Sequence, residues 1–152
     1  MVMNSNKKYG VSAIGNALLD VICEVPDKFL SDERILKGAM NLVSQERSNE
    51  LLKLVRPIKE TAGGSAANTI STLAKLGIKT GYIGKIADDL QGRVFRKDLM
   101  DNSVTYKTEF LNKSYTEATG KCIVLITPDK ERTMNTYLGA TEFLTEYDVD
   151  EE

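Results

Sequence analysis

Histidine is missing from the sequence, and its absence narrows the chemistry that the chain can perform. Histidine acid–base catalysis is excluded, and a zinc site is disfavoured because histidine and cysteine are the usual zinc ligands. There are only 2 cysteines, and both Cys23 and Cys122 lie in apolar runs typical of strands. This placement indicates buried, reduced thiols and not the disulfide framework of a secreted protein. No metal site is predicted, so any catalysis must use carboxylates, Arg, Lys or a bound cofactor.

Basic stripes and long apolar runs are also missing. The 20 Lys and Arg residues are interspersed with 22 Asp and Glu residues, for a formal net charge of −2. No nucleic-acid partner is expected, because no basic patch is available to neutralise phosphates. No run reaches the ~18 apolar residues of a membrane helix, and the start of the chain lacks the apolar core of a signal peptide. We therefore expect a one-domain cytoplasmic protein with no membrane partner.

Strands and helices alternate over the first two thirds of the chain. Short apolar runs at 9–14 and 81–87 are typical of buried parallel strands. Helices are predicted after Ser44, Ser65 and Asp88, each assigned as an N-cap. The helical residues predicted to be buried are Ala66, Ile70, Leu73 and Ala74, then Leu90, Val94, Phe95 and Leu99. This alternation favours an α/β fold.

The pattern changes after Asn102, where strands follow one another without helices. Besides the two parallel strands, extended segments are predicted at 18–25, 38–43, 104–111, 121–126 and 132–138. Residues 127–131 supply turn chemistry between the last two segments, with a proline that presets φ for the first corner position. The last two segments should therefore form a hairpin, and residues 27–32 are expected to form a short helical turn.

The most informative stretch is 61–68, where Gly63 and Gly64 precede a predicted helix. Adjacent glycines can adopt φ > 0 and leave the backbone uncovered, so a small polar ligand can contact main-chain N–H groups directly. Ser65 as N-cap and Asn68 in the first turn would face the same point. We interpret the stretch as a compact site for hydroxyl groups. A tight loop that merely enters a helix would use the same residues.

Four segments follow one another in a recognisable order, at residues 15–20, 62–68, 81–92 and 131–140. Together they resemble the PfkB/ribokinase-like family of carbohydrate and nucleoside kinases, and within it the adenosine kinases, over about residues 9–140. The resemblance implies a ribokinase-like three-layer α/β/α core with a small β-sheet lid. The lid strands would lie near 18–25, 38–43, 121–126 and 132–138, and the substrate between lid and core.

The resemblance also implies roles for individual residues. Asp20 would accept hydrogen bonds from two vicinal ribose hydroxyls, a task suited to its two carboxylate oxygens. Arg132 would neutralise charge near the transferred phosphate. The other substrate contacts would come from Asn16, Leu18, Gly63, Gly64, Ser65, Asn68, Cys122 and Leu138. The structural alternatives are a solvated Asp20 on an edge strand and a hairpin Arg132 paired with Glu131 or solvent.

The family's Gly-Ala-Gly-Asp segment, which carries the catalytic base, and its Asn-x-x-Glu segment near magnesium are absent from the sequence. We therefore expect residues 1–152 to form the N-terminal, substrate-binding part of a kinase, inactive by itself, with the ATP-binding half outside it. The resemblance implies ATP and Mg²⁺ as cofactors. Adenosine is the first substrate expected, and a sugar substrate of a ribokinase or fructokinase the second. A non-catalytic ligand-binding fragment is a third reading, and monomer or homodimer is left open.

Overall fold

Two β-sheets organise the chain, and the computed structural model describes residues 8–149. The elements in chain order are β1 (Val11–Ile14), β2 (Leu18–Glu24), α1 (Asp27–Asp32), β3 (Met40–Leu42), α2 (Gln45–Leu54), β4 (Pro57–Gly63), α3 (Ser65–Lys75), β5 (Thr80–Ile83), α4 (Leu90–Asp101), β6 (Val104–Tyr106), β7 (Gly120–Ile126) and β8 (Arg132–Tyr137). Two 3₁₀ turns follow, at Gly139–Phe143 and Glu146–Asp148. The predicted mixture of strands and helices is confirmed.

The first sheet is parallel, with strand order β1-β5-β6. Helices α3 and α4 pack on it through a shared core in which Ile70, Phe95 and Leu99 are fully buried. Tyr82 and Tyr106 lie in the same core, and both aim their hydroxyls at backbone carbonyls beyond the ends of the strands. This sheet is the α/β part that the alternating pattern predicts.

The second sheet has five strands in the order β3-β8-β7-β2-β4. Its central strand β7 pairs with β2 in parallel and with β8 as an antiparallel hairpin, which confirms the predicted hairpin. One face packs against α1 and α2 through a second core that includes Leu19, Leu51, Ile123 and Leu125. All residues of β7 except the last are buried, as expected of a strand that is apolar on both faces.

Strand β4 lies at the edge of this sheet and was not among the predicted strands. It pairs antiparallel with β2 along Leu18–Cys23, and its first four residues are exposed. Pro57 and Lys59 are typical of edge strands, which avoid pairing with other chains by such residues. The polar composition that protects the edge lacks the apolar run by which the other strands were predicted.

Two helix caps differ from the predictions by one residue. Ser65 is the first residue of α3, and Gly64 caps it with φ 91°. The α4 helix is capped by Asp89 and not Asp88, since the Asp89 carboxylate accepts the Gly92 N–H at 2.7 Å. Ser44 caps α2 as predicted, by accepting the Arg47 N–H. In both wrong cases the side-chain type was right for a cap, but its position depends on where the preceding strand or loop ends.

The buried faces of the helices are close to the predicted ones. In α3 the buried residues are Ala67, Ile70 and Ala74, while Ala66 and Leu73 are partly buried. In α4 the prediction of a buried Leu90 is wrong, because its side chain is 73% exposed beside the cap. None of the helices within residues 8–149 has the length and apolar character needed to cross a bilayer.

Replacing Asp89 by Ala tests the corrected cap. The Asp89 carboxylate also accepts the backbone N–H and the hydroxyl of Thr119, at 2.8 and 2.7 Å. We expect Asp89→Ala to lower the free energy of unfolding by about 2–4 kcal/mol, since a cap and two further bonds to a charged acceptor are lost. The measurement is urea denaturation.

Asp88→Ala is the matched control, because Asp88 pairs with Arg93 and Lys113 at the surface. Its cost should be about 1 kcal/mol or less. A larger loss for Asp88→Ala than for Asp89→Ala would contradict the cap assignment.

Candidate functional site

Asp20 lies against the backbone of Gly63. The two residues occupy neighbouring strands, where Leu18 pairs with Gly63 and Asp20 with Thr61. A Cβ at position 63 would overlap the carboxyl carbon and both carboxylate oxygens of Asp20. Glycine is therefore required at position 63 for the carboxylate to occupy its place. The structure brings together the two features, glycine pair and carboxylate, that the sequence singles out separately.

The backbone around this pair is closely packed. A Cβ at Gly64 would lie 2.6 Å from the carbonyl oxygen of Asn16, and one at Gly15 would lie 2.8 Å from the Cβ of Ala66. The Tyr82 hydroxyl donates to the Gly15 carbonyl at 2.9 Å and holds the loop in place. The close approach of the two loops therefore explains why the residues at positions 15, 64 and 66 are all small.

The site lies where parallel strands end. Gly15 follows β1 and Gly84 follows β5, so both are at the carboxyl edge of the parallel sheet, and α3 begins at the same place. In open α/β sheets, ligands bind outside this edge. The position therefore suits a small-molecule site.

Burial raises the pKa of Asp20 from its ordinary 3.8 to about 6, and the positive charge of Arg132 offsets part of the effect. A carboxylate that has lost water without gaining an ion-pair partner is a frequent sign of a ligand site.

A row of side chains crosses the five-stranded sheet on the Asp20 face. Asp20 pairs with Cys122, Cys122 with Thr136, and Thr136 with Leu42. The Thr136 hydroxyl donates to the Cys122 sulfur at 3.4 Å, and burial raises the pKa of the Cys122 thiol. Opposite residues in a sheet share a face. This row therefore runs from the acidic Asp20 through the uncharged Cys122 and Thr136 to the apolar Leu42.

The next row on this face is apolar from β2 to β3, and Lys59 continues it on the edge strand β4. Its apolar part consists of Ile22, Val124, Met134 and Met40, in register across four strands. Met40 is 55% exposed, Leu42 64% and Met134 37%. Apolar side chains left open beside a polar group form a surface that can accept a flat apolar ring.

The other predicted substrate-binding residues are placed as follows. Leu18 is half-buried, with its Cδ2 facing Gly120, and the Leu138 carbonyl approaches the same glycine. Ser65 and Asn68 are both exposed at the start of α3, where the Asn68 N–H bonds to the Gly64 carbonyl. These residues surround the same end of the sheet as Asp20.

Arg132 lies at the far end of β8, six positions from Leu138, or ~20 Å along a strand. It is exposed, yet its charge lowers the pKa of Asp20, so the two side chains interact electrostatically. Arg132 therefore faces the Asp20 side of the sheet, and its role toward a phosphate remains a prediction.

Sequence reasoning missed Thr136, Met134, Met40 and Leu42 as candidate residues. The hairpin turn at 127–131 fixes the register of β7 and β8, and alternation along β8 then puts Met134 and Thr136 on the Cys122 face. That signal was available in the sequence. The position of β3 beside β8 was not, because the pairing joins segments far apart in the chain.

The residues between 8 and 149 do not fit a magnesium site. No group of three or more Asp, Glu, Cys or His side chains in that range is arranged to hold a metal ion. Magnesium is bound through carboxylates together with phosphates of the substrate. These residues can bind and orient a substrate, and no step through a metal is assigned to them.

The fold is α/β, and the candidate site lies between a parallel core sheet and a second, mixed sheet. Residues 37–151 match the family model described as pfkB family carbohydrate kinase, over well more than half of the chain. The chain therefore belongs to the pfkB family, and the resemblance seen in the sequence is confirmed.

Solved structures agree with this assignment. An adenosine kinase from Sinorhizobium meliloti is 41% identical with a TM-score of 0.86, covering 95% of this chain and 43% of that one. A probable sugar kinase from Rhizobium etli is 39% identical with a TM-score of 0.86, covering 94% of this chain and 43% of that one. These similarities confirm the ribokinase-like α/β fold. This chain spans less than half the length of either protein.

A shorter stretch is similar to a 5-dehydro-2-deoxygluconokinase from Geobacillus kaustophilus. The two sequences are 40% identical over 65 residues, which cover 39% of this chain and 19% of that protein. The relatives thus include kinases named for a nucleoside and kinases named for a sugar derivative.

Gly63→Ala tests the contact with Asp20. The added methyl group must displace the carboxylate, so we expect a loss of about 1–3 kcal/mol in the free energy of unfolding. In an Asp20→Ala background the same glycine substitution should cost much less, because the overlapping atoms are gone. Equal costs in both backgrounds, measured by urea denaturation, would contradict the contact.

Asp20→Asn tests the burial of the charge. The folded-state pKa of about 6 exceeds the ordinary 3.8, so wild-type stability should fall as pH rises from about 4 through 6. The shift corresponds to ~3 kcal/mol, reduced to about 1–2 kcal/mol because the carboxylate is partly solvated. The variant should gain that amount at pH 7.5 and nothing at pH 4, by urea denaturation at both values. A variant less stable than wild type at pH 7.5 would contradict this account.

Proposed function

We propose that residues 1–152 form the substrate-binding part of an ATP-dependent kinase that phosphorylates a primary hydroxyl of a nucleoside or sugar, with adenosine as the preferred substrate. The five-stranded sheet would act as the lid, and the Asp20 site would hold the pentose. The residues for ATP and the catalytic base would lie outside this chain. Family membership supports the reaction class, and this chain corresponds to less than half the length of the similar adenosine kinase.

The observation that carries the proposal is the desolvated Asp20 carboxylate on the bare backbone of Gly63. Two vicinal hydroxyls can donate to its two oxygens and restore the hydrogen bonds that burial removed. Because Gly63 and Gly64 have no side chains, the sugar ring has room to approach the backbone. Ligand binding should therefore favour the ionised form of Asp20.

The apolar rows on the same face support a nucleoside over a bare sugar. Met40, Leu42 and Met134 are exposed and lie across the strands from Asp20. A purine ring would cover these side chains, whereas a sugar alone would leave them in water. Cys122 and Leu138 would border the same ring.

A sugar kinase is the second candidate. The similarity to a 5-dehydro-2-deoxygluconokinase and to a probable sugar kinase favours it. Asp20 and the glycine pair would serve a furanose or pyranose diol equally well. The two candidates differ in whether the apolar rows contribute to binding.

Titration calorimetry of the 152-residue chain with adenosine, 2′-deoxyadenosine and ribose separates these candidates. We expect adenosine to bind most tightly, and 2′-deoxyadenosine about tenfold more weakly because one hydrogen bond to Asp20 is lost. Tighter binding of ribose than of adenosine would favour the sugar kinase. Absence of binding by a folded chain, or adenosine phosphorylation by this chain with ATP and Mg²⁺, would contradict the proposal.

The affinity for adenosine should also depend on pH through Asp20. Since the ionised form binds and its pKa is about 6, affinity should be constant above pH 7 and fall about tenfold per pH unit well below 6. Asp20→Asn should weaken binding about 100-fold at pH 7.5 and abolish this pH dependence.

Glu24→Gln is the control, because Glu24 is an exposed carboxylate on the same strand and face. It should change neither affinity nor pH profile. A wild-type affinity that does not change between pH 7.5 and 5 would exclude Asp20 as the group that binds the hydroxyls.

A further inference from the structure

Asp98 supplies a hydrogen-bond acceptor at the unpaired edge of β4, where a neighbouring strand would otherwise supply one. Its Oδ2 atom accepts the backbone N–H of Ala62 at 2.7 Å and the hydroxyl of Thr61 at 2.8 Å. An N–H that points away from its own sheet at an edge strand normally meets water or another chain. Here a carboxylate from a helix of the parallel core satisfies it, through a bond to a charged acceptor.

Asp98 is itself held in place. Its helix neighbours Phe95 and Leu99 are fully buried in the core of the parallel sheet. The Asn102 amide donates to the Asp98 carbonyl at 2.7 Å and to its Oδ1 at 3.3 Å. The Asp98 carboxylate is therefore held in place by its helix and by Asn102. A shift of α4 would move the part of β4 that Asp98 binds.

The two residues that Asp98 binds are those next to the candidate site. Thr61 lies opposite Asp20, and Ala62 immediately precedes Gly63. Two consecutive glycines follow, and they would otherwise give this part of the backbone many accessible conformations. The bonds from Asp98 restrict the backbone at Thr61 and Ala62, next to the point where the Asp20 carboxylate contacts Gly63.

We propose that Asp98 is a positioning residue for the Asp20 site, which holds Gly63 against the Asp20 carboxylate by fixing the backbone of Ala62. Its importance for binding a nucleoside or sugar rests on the function proposed above, whereas its effect on the Asp20–Gly63 contact does not. A backbone that is already fixed at Ala62 and Gly63 should bind a ligand more tightly, because less conformational freedom is lost on binding.

The test compares Asp98→Ala, Asp98→Asn and the control Asp101→Ala. Asp101 lies on the same helix and forms an exposed ion pair with Lys97. Asn at position 98 keeps a carbonyl oxygen that can still accept the Ala62 N–H, so it should rescue most of the Ala effect. The first readout is carbon-13 NMR titration of the Asp20 carboxyl in the ligand-free chain.

In Asp98→Ala we expect the pKa of Asp20 to fall from about 6 to about 5, because water reaches the loosened contact. The value should stay near 6 in Asp98→Asn and Asp101→Ala. An unchanged Asp20 pKa in a folded Asp98→Ala protein overturns the proposal. If Asp98→Ala does not fold, Thr61→Val removes one of the two bonds to Asp98 and should lower the Asp20 pKa in the same direction. No change there would then overturn it.

The second readout is the affinity for adenosine by calorimetry. Asp98→Ala should weaken it about tenfold at pH 7.5, while Asp98→Asn and Asp101→Ala should leave it within twofold. Wild-type binding that Asp98→Ala does not alter counts against the positioning role. If the wild type binds neither adenosine nor ribose but the Asp20 pKa still responds to position 98, the positioning role stands and the proposed function fails.

Discussion

The Asp20 carboxylate lies directly against the backbone of Gly63, in space that a side chain at position 63 would fill. Asp20 can lie where it does only because position 63 has no side chain. The arrangement is unfavourable for the isolated fold, because burial raises the Asp20 pKa and Arg132 compensates only in part. Such a local cost persists only if the surrounding structure imposes it. Contacts from helix α4 to the strands beside Asp20 supply part of that support.

Helix α4 is the main element of this support. Asp89 at its start binds Thr119, which directly precedes β7, and Asp98 near its end binds Thr61 and Ala62 in β4. Strands β7 and β4 are the two neighbours of β2, the strand that carries Asp20. One rigid helix therefore fixes both sides of the strand with the buried carboxylate. Strands β3 and β8 have no such tie to α4 in the described contacts, and they carry the exposed Met40, Leu42 and Met134.

The sequence was most informative where local chemistry decides the structure. Short apolar runs located every strand except β4, 3.6-residue patterns located the longer helices, and the hairpin turn at 127–131 gave the correct pairing of β7 with β8. It was least informative where partners are distant in the chain. Nothing near Pro57 indicates that this segment pairs with β2, and nothing near Asp98 indicates an acceptor for Ala62. The glycine pair was singled out by local backbone chemistry and Asp20 by the family resemblance, while the contacts that support both depend on long-range packing.

The choice between nucleoside and sugar depends on the outer part of the five-stranded sheet. In the proposed function Asp20 and Gly63 would bind a diol, and both substrate classes contain one. The exposed Met40, Leu42 and Met134 offer more apolar surface than a bare sugar can cover, because most of its surface is hydroxyl groups. Methionines suit a flat ring well, because their flexible and polarisable side chains adapt to aromatic surfaces. If these rows were instead covered by another part of a longer protein, a ring would gain nothing from them and the preference for adenosine over ribose would disappear. The relative affinity for those two ligands therefore reports directly on whether the apolar rows belong to the binding site.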